Sequence, residues 1–123
     1  MSIKKNIYKA LLIILFAFVY SVEAAAATNR WWVADNDGTD KYWNNNANWS
    51  TTRYGSGGAS APTNNSFIAN FTDASTVDAK LSANVYKIRK LKVLNGYSGN
   101  INLNGYHLAS TQGPMINDGN GID

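Results

Sequence analysis

The sequence has 123 residues, room for one domain at most. It contains no cysteine, which excludes a disulfide framework, and its net charge is +3. Part of that charge sits in the first nine residues, so the basic balance is no sign of a nucleic-acid partner.

Lys4, Lys5 and Lys9 precede an apolar run, Ala10 to Tyr20. The run is shorter than the about 20 residues of a membrane span. Val22-Glu23-Ala24 fits a small-x-small cleavage site, and cleavage as late as Ala27 is compatible with the pattern. Residues 1–24 therefore read as a secretory signal peptide, and no membrane span is expected in the mature chain. With the leader removed, the remainder is nearly neutral, and it must hold together by burial and backbone hydrogen bonds alone.

Residues 28–65 read as an aromatic-rich N-terminal cap followed by a loop. All four tryptophans, Trp31, Trp32, Trp43 and Trp49, lie here. Arg30 to Ala34 reads as a short strand, because aromatic and β-branched residues suit a pleated surface. Asp35 to Asp40 is a polar turn, and Ser50 to Pro62 is a Gly/Ser-rich loop ended by a proline.

Residues 66–123 read as short strands. Ser66 to Phe71 places Phe67, Ala69 and Phe71 on one face. A further short strand is expected near Thr76-Val77. Val85, Ile88 and Leu91 recur at spacing three, which allows a helix with Asn84 as cap. The alternation of Leu91 and Val93 with Lys90 and Lys92 favours a strand instead. Ile101 and Leu103 repeat that alternation. Asn95-Gly96, Ser98-Gly99 and Asn104-Gly105 supply turns between the strands, because Asn and Gly tolerate positive φ. Met115-Ile116 is a strand fragment between two turns.

Short strands about ten residues apart with Asn-rich turns predict an all-β chain. The preferred architecture is a β-solenoid, with a small β-sandwich as the alternative. A solenoid needs about three or more repeats. The chain supplies fewer, so it is expected to be the truncated start of a longer stack or to be completed by a partner.

The order of motifs carries a resemblance. Arg30-Trp31-Trp32-Val33, Tyr42-Trp43 and Asn48-Trp49-Ser50 come first. Ser56 to Thr63, Phe67 to Phe71, and Gly96 to Leu108 follow. This order resembles the N-terminal segment of bacterial autotransporter or adhesin-like secreted surface proteins. The resemblance implies the N-terminal cap and first coils of a right-handed parallel β-helix. It also implies export, an extracellular or cell-surface (outer-membrane) location, and a structural or adhesive role without catalysis. Partners would be host or environmental glycans or other cell-surface proteins, with no nucleic acid. Asn64-Asn65-Ser66 departs from the acidic residue that usually precedes the first strand in that pattern.

Three constellations are candidate sites. Asp35, Asp37 and Asp40 space carboxylates as calcium ligation would use them, but aligning Gly38 to the glycine of an EF-hand loop leaves Val33 and Asn44 at ligand positions. An Asp-Gly turn accounts for the pattern without metal, and no other cofactor is expected. Trp31, Trp32, Trp43 and Trp49 could form a carbohydrate-binding platform, or they could cover the first coil. Lys87, Arg89, Lys90 and Lys92 form a basic run that suits a solvated face or an acidic polysaccharide. His107 is the only histidine and has no acidic neighbour in sequence. A remnant of a polysaccharide-degrading β-helix enzyme is the remaining alternative, but no clustered acids or bases support it.

Overall fold

The computed structural model describes residues 25–116; the signal-peptide reading of residues 1–24 lies outside them, as does the expected turn after Ile116. The described chain is all-β. Its strands are β1 (Thr28–Trp32), β2 (Trp49–Ser50), β3 (Phe67–Phe71), β4 (Ala79–Lys80) and β5 (Val85–Ile88). They continue with β6 (Lys90–Val93), β7 (Ile101–Asn102), β8 (Leu108–Ser110) and β9 (Pro114–Ile116). One 3-10 turn, Asn46–Asn48, is capped by the Asn45 side chain, which accepts from the Ala47 N–H.

The main sheet has the order β2-β1-β3-β6-β9. Its strands β1, β3, β6 and β9 run parallel, and only β2 is antiparallel, against β1. β4 pairs with β7 and β5 with β8, both parallel, and Tyr42 extends the β4 ladder through a parallel bridge to Lys80. The chain thus visits the main sheet, the β4/β7 ladder and the β5/β8 ladder in that order, then returns to the main sheet. Hydrogen bonds between equivalent points span 22 or 23 residues: Asn100 N–H to Asp78, Asn104 to the Leu81 carbonyl, His107 N–H to Asn84 and Thr111 to Arg89. Among the described strands, sequence neighbours pair only where β1 meets β2, so the antiparallel ladders of a small sandwich are not what forms.

Side-chain alternation explains the register. Ala69 lies beside Leu91 and Phe71 beside Val93, all buried, whereas half-buried Ile68 lies beside Lys90, and Asn70, beside Lys92, is buried with its amide donating to Asn29 Oδ1 and the Arg30 carbonyl. Ala79 meets Ile101 in the same way. The turn at Asn95-Gly96 uses Gly96 at φ 99°, and Asn104-Gly105 uses φ 51° and 78°. These left-handed conformations favour the residue types found there.

One strand expectation holds and one changes. The segment Val85 to Leu94 forms strands, as its alternation favours, and not the helix that its spacing of three allows. The register shifts between Val85 and Ile88, Lys87 adopts φ 62°, and Tyr86 and Lys87 are both exposed while Val85 and Ile88 are both buried. A bulge therefore produces the spacing of three that suggested a helix. No strand forms at Thr76-Val77. The Val77 carbonyl instead accepts from two side chains, Trp32 Nε1–H at 2.9 Å and Tyr97 O–H at 3.1 Å, and β4 begins only at Ala79.

The core is aromatic at one end and aliphatic at the other. Trp32, Trp43 and Trp49 have no solvent exposure. Phe71 sits among them, 5.5 Å from each ring centroid and 5.0 Å from Tyr97. Each indole N–H is satisfied by a carbonyl: Trp32 by Val77, Trp43 by Pro62 at 2.9 Å, Trp49 by Trp43 at 2.6 Å. Burying a ring removes about 150–250 Å² from water without leaving an orphan donor. Leu81, Val85, Ile88, Leu91, Val93 and Ile101 continue the core from these rings.

Candidate functional site

Two surface clefts flank the loop Asp35 to Lys41. The loop is built by short-range polar bonds. Asp37 Oδ1 accepts from the Thr39 N–H at 3.0 Å and the Thr39 hydroxyl at 2.7 Å, while Gly38 takes φ 82°. This is a side-chain-closed turn of the kind Asp favours. Lys41 Nζ then reaches back to Asp35 and Asp37, 2.7 Å from each, and its side chain is only 10% exposed. Asp40 pairs across the ladder with Lys80 at 3.1 Å.

The three aspartates are therefore divided between two lysines and do not converge. Among the described residues, no group of three His, Cys, Asp or Glu side chains is placed to hold a metal ion. The calcium candidate at Asp35, Asp37 and Asp40 is corrected accordingly: ammonium groups occupy the place that a cation would need. Only local spacing suggested the cluster, and Lys80, far away in sequence, could not be seen to join it.

The electrostatics follow the geometry. The Lys41 ammonium first, then the Thr39 hydroxyl and N–H, hold the Asp37 carboxyl well below the usual carboxylate range. Asp35 first and Asp37 second push the Lys41 ammonium up. For Asp37 the depressed value means that its contribution to stability is fully present above the ordinary value of 3.8 and is lost as pH falls through the depressed one. Thermal unfolding of the native chain and of Asp37→Asn should differ by a small, constant amount from neutral pH down to about 4, a difference that shrinks below it. A difference that vanishes already near pH 6 would contradict the pairing.

On one side of the loop lies a cleft of about 430 Å³ whose walls include Asn36, Thr39, Asp40, Asp78, Lys80 and Asn102. On the other side lies a second, of about 440 Å³, reaching Asp35, Asn45 and Asn48. Thr39, Asp40 and Lys41 border both. Sequence reasoning missed Asn36, Thr39, Asp78 and Asn102. Asn36 and Thr39 lie within the polar turn Asp35 to Asp40, whereas the only signal for Asp78 and Asn102 is the return interval of the strands, which brings residues of successive passes side by side.

The tryptophan platform is corrected as well. Trp32, Trp43 and Trp49 are fully buried with their N–H groups engaged, so they offer no ring face to a sugar. Trp31 is half-buried on β1. The exposed large aromatics are Tyr42, Tyr54, Tyr86 and Tyr106. His107 is exposed and stacks near Tyr86, with centroids 6.4 Å apart. The basic run divides between an exposed Lys87, half-buried Lys90 and Lys92 on β6, and Arg89, which donates to the Asn65 carbonyl.

Among the described residues, no helix is long and apolar enough to cross a membrane. No family model, curated protein or solved structure matches the chain.

Proposed function

We propose that the chain is the N-terminal part of an exported right-handed parallel β-helix, with a structural or adhesive role at the bacterial cell surface and no catalysis. The observation that carries this reading is the return of the chain to three parallel ladders at intervals of 22 or 23 residues. Stacked coils make that pattern, each burying a few aliphatic side chains against the next. The antiparallel β2 and the three buried indoles support an N-terminal cap, since they cover the end of the stack that would otherwise be open. Lys4 to Ala24 supports export through its basic and apolar regions.

Export is tested by fusing alkaline phosphatase, which folds actively only outside the cytoplasm, after residue 123 in a Gram-negative host. An active fusion is expected, with activity lost when residues 1–24 are deleted. Equal activity of the two fusions, or an inactive full-length fusion, would overturn the reading.

A further inference from the structure

We propose that the two clefts flanking the loop Asp35 to Lys41 form a binding site for an uncharged glycan chain. The proposal stands on the clefts alone and does not depend on where the protein is located. Clefts of about 430 and 440 Å³ fall within the size range of ligand pockets, and they share the wall Thr39-Asp40-Lys41. Two adjoining clefts along one wall suit successive units of a polymer better than one small ligand.

The lining mixes donors and acceptors as hydroxyl recognition requires. Asp78 uses Oδ1 to accept the Asn100 N–H at 2.8 Å, which leaves Oδ2 for a ligand. Asn102 uses Oδ1 to accept the Asn104 N–H at 2.8 Å, which leaves its amide donors. A sugar hydroxyl both donates and accepts, so a carboxylate oxygen and an amide NH₂ on neighbouring strands match it. Tyr42, Lys80 and Asn102 lie in one row across the ladder, and Tyr42 is 37% exposed at the end of that row.

Charge selects among glycans. Both lysines at the wall are already matched, Lys41 by Asp35 and Asp37, Lys80 by Asp40. Asp78 adds a further negative charge to the first cleft. Uronic-acid or phosphate polymers would meet carboxylates without a free cation, so an uncharged chain fits. The ion pairs also fix the loop before binding, which lowers the entropic cost of association.

The test is native gel electrophoresis of the chain through galactomannan, mixed-linkage β-glucan and dextran, with polygalacturonate as the acidic arm. Retardation by at least one neutral polymer is expected. Asn102→Ala and Asp78→Asn should each weaken it about tenfold, the scale of one lost hydrogen bond to a polar partner. Tyr86→Ala, outside the clefts, should leave it unchanged. Circular dichroism checks the fold of each variant. If Asn102→Ala does not fold, Asn36→Trp, at an exposed position on the wall, should abolish retardation by filling the cleft. Absence of retardation by all three neutral polymers, retardation by polygalacturonate alone, or full binding by the cleft variants would each overturn the proposal.

Discussion

Replacing Phe71 by Ala is expected to cost about 3–5 kcal/mol, a large share of the stability of a chain this size. Phe71 is fully buried and is the one ring in contact with all three buried indoles and with Tyr97. Its partners come from β1, the Trp43 turn, β2 and the segment after β6, so they have little freedom to collapse into the void. Phe71→Leu, which keeps most of the volume, should cost less than half as much. Urea unfolding followed by tryptophan fluorescence measures both. A cost below about 1 kcal/mol for Phe71→Ala would mean that the rings are loosely packed.

Gly57→Ala should be nearly as damaging, at about 3 kcal/mol, although the residue is exposed. A Cβ at Gly57 would fall inside the van der Waals envelope of the Ala47 carbonyl, which is backbone and cannot rotate away. The loop is stitched down on both sides: Gly58 N–H donates to Asn46 O at 3.0 Å, Ala59 N–H to Trp49 O at 3.0 Å, and Ala61 N–H to Asn46 Oδ1 at 2.9 Å. Pushing the loop outward breaks these bonds and uncovers Trp49, so the variant should show red-shifted emission before unfolding. Gly38→Ala is the control. It meets no atom, carries only the strain of φ 82°, and should cost about 1–2 kcal/mol with unchanged emission.

Local chemistry was legible in the sequence and long-range pairing was not. The alternation of Leu91 and Val93 with lysines, and the Asn-Gly dipeptides, mark strands and turns wherever they occur, and β6, β7 and β8 lie close to where they point. The same alternation is consistent with a hairpin and with a return 22 residues later, because both bury one face of each strand. Which indoles are covered depends on Phe71 and Tyr97, and no property of residues 28–49 alone reveals that. Val85, Ile88 and Leu91 left a helix open because a bulge mimics the helical interval, and the alternation of Lys90 to Val93 decided correctly for a strand. The clefts were illegible for a related reason: their walls come from three separate segments, each an ordinary polar stretch.

One carbonyl sets the timetable of folding. Val77 O receives a donor from Trp32, at a separation of 45 residues, and one from Tyr97, at a separation of 20. The aromatic end therefore closes fully only when Trp32, Val77 and Tyr97 are all present and free to meet. Until then three indoles have no finished pocket, and the first half of the chain remains an open thread. Closure must wait for contacts distant in sequence, which makes it slow and cooperative rather than gradual. Chains halted short of Tyr97 should stay protease-sensitive along their whole length, whereas chains extending beyond Ile101 should acquire protection at the N-terminal end first.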